Sequence, residues 1–282
     1  MGLKSTIKGG ARFFVDLFKE KKIFAVPADV GMGELLKGKT ALITGGSEGI
    51  GLAIAKDFIK NGAKVIIASR DEQKLKRCVA EIGSSGRIGH IVLDVQEVSS
   101  FTQKIEEASE LFPDDRIDIL VNSAGIVVKS TFFDIEEKEY DSIMDTNAKG
   151  TYFMCQAMAR YMIENKIKGH ILNVSSSSAL RPAWTPYQMS KWSVRGLTLG
   201  VADLLLPYGI VVNAIGPGPT FTSMLGKSEG DSMYNAVCPA GRFASPEEIA
   251  HLAVFMVSDC GDLIVGDTFY MTGGSGTISC HR

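Results

Sequence analysis

The sequence predicts an α/β protein built on a single doubly wound parallel sheet of seven strands with helices on both faces. Three observations lead there. From Lys39 onward, short apolar runs of strand length alternate with longer segments whose apolar residues recur every three or four positions. The strand-like runs are apolar at nearly every position, as strands covered on both faces must be. Each intervening segment is long enough for the right-handed crossover that a parallel pair requires.

Taken in order, Thr40-Ala41-Leu42-Ile43-Thr44 is the first strand, and Gly45-Gly46-Ser47-Glu48-Gly49-Ile50-Gly51 turns it into a helix with Leu52, Ile54, Ala55, Phe58 and Ile59 as its apolar stripe. Lys64 to Ala68 is the next strand. A helix around Asp71 to Ile82, a strand around His90 to Leu93, a helix around Val98 to Phe112 and a strand from Ile117 to Val121 follow. A long helix then runs from about Tyr140 to Glu164, before a strand from Gly169 to Val174. Thr185 is placed to cap the next helix and Pro186 suits its first position, with Val194, Leu197, Val201, Leu204 and Leu205 at helical spacing. A strand from Ile210 to Ile215, a helix after Pro246 and a strand from Thr268 to Met271 complete the alternation. In such a sheet, ligand binds beyond the carboxyl ends of the strands.

Residues 1–37 read as an extension preceding a single α/β domain of residues 38–282. Lys4, Lys8 and Arg12 lie opposite Ile7, Phe14, Leu17 and Phe18, the pattern of a basic amphipathic helix interrupted by Gly9-Gly10. The paired glycines weaken an isolated helix, which favours one packed on the domain or on a neighbouring subunit over one lying on a membrane surface.

Charge narrows the partners. The 30 basic and 32 acidic residues leave a net charge of −2, so no global basic field supports a nucleic-acid role, and a small molecule is the expected partner. The five cysteines are odd in number and include no C-x-x-C, which argues against a disulfide framework or a zinc knuckle and suggests a reducing, cytoplasmic setting. No apolar run approaches the roughly 20 residues of a membrane span.

Tyr187 and Lys191 are four residues apart at the start of a helix, so they share one face. A free phenol has a pKa of about 10 and is a reluctant proton shuttle near neutrality. Bringing it down three units takes roughly 4 kcal/mol of preferential stabilisation of the phenolate, which a neighbouring ammonium can supply. The pair suits interconversion of a carbonyl and an alcohol. Gly45, Gly49 and Gly51 stand where a strand becomes a helix, suited respectively to a tight turn, close approach of a pyrophosphate and close helix packing.

Thr44-Gly45-x-x-x-Gly49-Ile50-Gly51 together with Tyr187-x-x-x-Lys191 resembles the short-chain dehydrogenase/reductases, and the resemblance covers about Leu36 to Gly274. It implies a Rossmann-type sheet of strand order 3-2-1-4-5-6-7. By the same resemblance, Asp94-Val95 meets an adenine, and Asn122-Ser123-Ala124-Gly125 is the turn after the fourth strand. Asn147 is a catalytic asparagine holding a water that links Lys191 to solvent. Pro217-Gly218 with Thr222 forms the loop that meets a nicotinamide carboxamide. The catalytic serine that the family places after the fifth strand is Ser176, with Ser175 as the alternative.

At the end of the second strand stand Ser69 and Arg70, where an aspartate in place of Ser69 would favour NAD(H). Serine and arginine can instead bind a 2′-phosphate, which makes NADP(H) the preferred coenzyme and NAD(H) the alternative. Glu48, in the glycine turn where many NADP-preferring relatives carry a base, weighs the other way. The turn as a whole, Ser47, Glu48 and Ile50 included, is assigned to the coenzyme.

The mechanism so implied has Tyr187 as general acid/base, Ser176 hydrogen-bonding the carbonyl oxygen, and Lys191 lowering the phenol's pKa and holding the nicotinamide ribose. Val127, Val128, Arg181, Trp184, Met224, Leu225, Met233 and Tyr234 are the candidate substrate wall. Small polar or acyl ketones rank ahead of large steroids, because the stretch from Thr220 to Arg242 is short. Alternatives are an NAD-dependent dehydrogenase of a polyol or sugar-type alcohol, and a non-catalytic dinucleotide-sensing or scaffold protein. A homotetramer or dimer is expected by resemblance, with the helices carrying Asn147 and Tyr187 at one interface.

Overall fold

Strand β1, Thr40–Thr44, is buried at all five positions. A strand with no solvent face belongs in the interior of a sheet, and β1 does lie between two neighbours. The computed structural model describes residues 34–83, 86–112, 116–228 and 230–278. The expected amphipathic extension falls outside these residues, apart from a turn at 34–37 in which Leu36 is fully buried in the core.

Six more strands follow: β2 (Lys64–Ser69), β3 (Ile88–Val92), β4 (Ile119–Asn122), β5 (His170–Val174), β6 (Val211–Pro217) and β7 (Thr268–Met271). They form one sheet, all parallel, in the order β3-β2-β1-β4-β5-β6-β7. The helices are α1 (Gly49–Lys60), α2 (Glu72–Ile82), α3 (Phe101–Ser109), α4 (Glu137–Met144), α5 (Gly150–Glu164), α6 (Pro186–Leu205) and α7 (Pro246–Val257). Side chains alternate along each strand, which divides the core in two. Ile43 and Ile67 pack with Ile54 and Phe58 of α1, Leu75 of α2 and Ile249 of α7. Leu42 and Ile66 pack on the other face with Phe101 of α3 and Met154 and Met158 of α5. Strand order reverses between β1 and β4, which puts the expected ligand crevice at their carboxyl ends.

Three elements depart from the sequence expectation. The helix expected from Tyr140 to Glu164 begins earlier, at Glu137, where Glu136 and Glu139 form a capping box that a search for serine or threonine caps passes over. It is also broken by a π-helical turn at Asp145–Lys149 that holds Asn147. After the turn Gly150 packs so close that a Cβ there would lie 2.5 Å from the Val95 carbonyl oxygen. Helix α3 is shorter than expected at both ends: Val98–Ser100 winds as a 3₁₀ turn, and the helix stops at Ser109.

Helix α6 begins as expected, with Thr185 capping Gln188 and Pro186 in the first turn. Its buried stripe differs, being Ser190, Lys191, Val194, Thr198, Ala202 and Leu205. Leu204 is left 68% exposed and Leu199 63%, so α6 keeps large apolar side chains outside its buried stripe. Among the described residues no helix is long and apolar enough to cross a membrane.

Candidate active site

The turn from β1 into α1 is built by contact. A Cβ at Gly51 would lie 2.3 Å from the Gly45 carbonyl oxygen, and one at Gly45 would lie 2.8 Å from the backbone of Ala124. Any side chain at either position would push the helix or the β4 loop away. Gly49, the first residue of α1, has a φ of 52°, and no side chain caps the helix at Glu48. The first-turn amides of α1 are therefore left to an anion, the arrangement that a bound pyrophosphate requires.

The glycine turn opens into a cleft of about 620 Å³, whose walls include Ser123 to Val127 after β4, Val174 to Ser178 after β5, and Pro217 to Thr220 with Thr222 to Leu225 after β6. Tyr187 and Lys191 of α6 and Arg181 of the preceding loop also line it. Four strand ends thus converge where the topology places the crevice.

Tyr187 is partly buried and hydrogen-bonded to Ser176. Burial pushes its phenol above the usual tyrosine range, and the bond from Ser176 pulls the other way. Ser176 also accepts a bond from the Ser178 amide at 3.1 Å, which orients its hydroxyl. Its neighbour Ser175 turns to the helix, donating to the Lys191 carbonyl at 3.0 Å.

Lys191 is 6% exposed and donates to the Val174 carbonyl at 2.8 Å. Without a carboxylate beside it, burial lowers its pKa to about 8. Its ammonium lies 5.7 Å from the centre of the Tyr187 ring. In the chain alone, then, burial rather than the lysine dominates the phenol.

Asn147 is 1% exposed and clamps the β4 loop. Its Oδ1 accepts from the Ile126 amide at 2.8 Å, and its Nδ2 donates to the Ile126 carbonyl at 2.9 Å and to Ser190 at 3.2 Å. The side chain is thus committed to protein partners. Asn122 does not line the cleft; its amide donates to Asn173 at 2.9 Å and to the Cys155 sulfur at 3.3 Å in the core.

The other coenzyme candidates lie beyond the cleft along the strand ends. Ser47 is buried, and its carbonyl accepts from Cys78. Asp94 caps Gln96, and Val95 packs into the second core. The Ser69 hydroxyl is buried with no hydrogen-bond partner among the described residues. Arg70 is exposed, its guanidinium 4.0 Å from Asp94. Such an orphaned donor beside a loosely held cation fits the ribose end of a dinucleotide.

The sequence reading missed Lys74 and Ser223. The Lys74 ammonium pairs with Glu48, which also accepts from Ser223 at 3.4 Å. A signal for Lys74 did exist: Asp71 caps α2 through the Lys74 amide, which puts Lys74 in the first turn of the helix after β2. None existed for Ser223, which is 175 residues from Glu48.

Residues 39–232 match the family model described as short chain dehydrogenase. The chain is 35% identical over 255 residues to galactitol 2-dehydrogenase of Agrobacterium fabrum, with 85% of this chain and 98% of that protein covered. It is 34% identical over 244 residues to a 3-oxoacyl-(acyl-carrier-protein) reductase of Thermotoga maritima, covering 85% and 98%. Among solved structures, it resembles a 3-ketoacyl-(acyl-carrier-protein) reductase of Brucella melitensis complexed with NADH, with a TM-score of 0.77, 31% identity, and 86% and 100% of the two chains covered.

Proposed function

Since this chain belongs to the short-chain dehydrogenase/reductase family and is an NAD(P)-dependent oxidoreductase acting on CH–OH groups, we propose that it interconverts a ketone and a secondary alcohol, with NADP(H) as the preferred coenzyme and Tyr187 as general acid/base. One observation carries the reading: the Ser176–Tyr187 hydrogen bond, the buried Lys191 and the uncapped start of α1 share a single cleft.

The bound nicotinamide supplies or accepts the hydride. In the reducing direction Tyr187 gives its proton to the carbonyl oxygen while Ser176 hydrogen-bonds that oxygen; in the oxidising direction the phenolate takes the proton back. Lys191 is protonated below pH about 8 and places a positive charge where the phenolate forms. Asn147 holds Ile126 and Ser190 in place, and with them the wall of the cleft beside Lys191. A water linking Lys191 to solvent remains part of the proposal.

The proposal divides the coenzyme contacts among six groups of residues. Gly45, Ser47, Glu48, Gly49, Ile50 and Gly51 would hold the pyrophosphate end. Ser69 and Arg70 would hold the 2′-phosphate, and Asp94 and Val95 the adenine. Ala124 and Gly125 would form the β4 wall, with Asn122 fixing the strand behind them through its bond to Asn173 rather than meeting the coenzyme. Tyr187 and Lys191 would meet the nicotinamide ribose, and Pro217, Gly218 and Thr222 the carboxamide.

The preference for NADP(H) is supported by the unpartnered Ser69 hydroxyl and the loosely held Arg70. The opposing charge of Glu48 is offset by Lys74. Titration with NADPH and NADH, followed by reduced-nicotinamide fluorescence and then by a ketone panel, tests both coenzyme and reaction. Tighter NADPH binding with ketone-dependent oxidation is expected. Stronger NADH binding would favour the NAD-dependent polyol or sugar dehydrogenase, and binding without turnover would favour the sensing or scaffold protein.

The two serines separate experimentally. Ser176→Ala is expected to lower kcat about a hundredfold, as loss of a carbonyl-oxygen donor does. Ser175→Ala removes a bond to the α6 backbone and should cost about 1 kcal/mol of stability, with kcat changed less than about threefold. Reversed results would move the assignment to Ser175.

A homotetramer or dimer through the helix pair α5 and α6 is part of the same proposal. Tyr152 of α5 is 47% exposed, and Trp192, Leu199 and Leu204 of α6 also face outward. Light scattering should give a mass of two or four chains, reduced by Leu199→Glu. A monomeric parent would refute it.

A further inference from the structure

Within the catalytic cleft the charged side chains are Glu48, Arg181 and Lys191. Two of them are spoken for. Glu48 sits in the glycine turn, paired with Lys74, and Lys191 is buried against the Val174 carbonyl. Arg181 stands five positions past Ser176 in the lining of the cleft, and no acid pairs with it among the described residues.

Its position is built rather than incidental. The 3₁₀ turn Ser177–Leu180 carries the chain from Ser176 to Arg181, whose backbone is pinned on both sides: its carbonyl accepts from the Trp192 indole at 2.8 Å, and its amide donates to Ser178 at 3.3 Å. The side chain lies against the C-terminal loop at Gly276. A Cβ there would come within 3.3 Å of Arg181 Nε and 3.2 Å of the Ser177 carbonyl oxygen, and Gly276 has a φ of 91°. A residue other than glycine would be strained at 276 and would crowd the arginine.

We infer that Arg181 selects an anionic substrate: a ketone or secondary alcohol that carries a carboxylate some bonds away from the reacting carbon, the carboxylate meeting the guanidinium while the carbonyl oxygen meets Ser176 and Tyr187. This rests on the oxidoreductase reading above. The guanidinium offers a planar fork of donors that matches a carboxylate. A turn rising about 2 Å per residue separates Ser176 from Arg181, so the anion lies apart from the carbonyl rather than adjacent to it. Glu48, the single acid of the cleft among the described residues, is paired with Lys74 and so does not compete for the guanidinium.

The test uses methyl ketones ending in a carboxylate, in a series of chain lengths, each beside its methyl ester. Binding is followed through tryptophan fluorescence, since Trp184 is exposed three residues beyond Arg181, and turnover through the reduced nicotinamide. At the best length the acid is expected to bind roughly ten- to a hundredfold more tightly than its ester. Arg181→Gln should abolish that preference and Arg181→Lys should keep part of it. Gly276→Ala, which crowds the guanidinium, should lower the acid-to-ester binding ratio.

Equal binding of acids and esters by the parent protein, or a preference that survives Arg181→Gln, overturns the proposal. Turnover of esters with no charge preference would do so while leaving the oxidoreductase reading intact. Arg181-dependent binding of acids without turnover of any probe would uphold the anion site and count against that reading.

Discussion

Tyr187→Phe is expected to lower kcat by roughly 10²- to 10⁴-fold, the range that general acid/base catalysis contributes, while the coenzyme dissociation constant changes less than about threefold. The variant keeps the ring and removes one hydroxyl. Of the contacts to that hydroxyl, the bond to Ser176 is the one lost, and Ser176 retains the Ser178 amide as a partner. The stability cost should therefore be about 1 kcal/mol, too small to account for inactivity by unfolding. Steady-state kinetics beside coenzyme titration and a melting curve measure all three quantities. Near-normal turnover would remove Tyr187 from the proton-transfer role.

Lys191→Met is expected to lower kcat about as strongly while making the folded protein more stable at neutral pH. The lysine is buried without a carboxylate, and its pKa falls to about 8 from an unfolded value near 10.5. That displacement is worth roughly 3 kcal/mol against the folded state below pH 8. Methionine fills similar space without the charge but leaves the Val174 carbonyl unpaired, which costs about 1 kcal/mol. A net gain of about 2 kcal/mol at pH 7 is the expected balance.

The pH dependence has a definite sign. Between pH 8 and 10.5 the folded parent releases a proton that the unfolded chain still holds, so the unfolded state binds more protons and parent stability rises with pH. The variant lacks this rise, and its advantage should shrink across that window. Denaturant melts of both proteins at pH 7 and pH 10 read the difference, with other titrations cancelling between them. A variant less stable at pH 7, or a gap that widens with pH, would show that Lys191 is not a buried, destabilising charge.

Much of the fold was legible because its signals are local. Thr185, Pro186 and Gln188 announce the start of α6 within four residues, and the uniform burial of β1 follows from Thr40-Ala41-Leu42-Ile43-Thr44. The π-helical turn at Asn147 was not legible. Its neighbour Gly150 packs on the carbonyl of Val95, more than fifty positions earlier, and no local periodicity reports that contact. The buried stripe of α6 was misplaced for a related reason. Leu204 has the right spacing for a core face, but the sheet accepts Thr198 and Ala202 instead, whose small side chains allow close packing.

By itself the sequence determined the element types, the parallel sheet and the glycine turn ahead of a Tyr187–Lys191 pair, because period, capping and turn chemistry act over a few residues. Tertiary structure alone decided which serine hydroxyl meets Tyr187, that Glu48 is held by Lys74, that Asn147 closes on Ile126, and that Arg181 rests against Gly276. Apart from the first, these contacts join residues more than twenty positions apart. They depend on how tightly each helix settles on the sheet, which packing decides and local spacing does not.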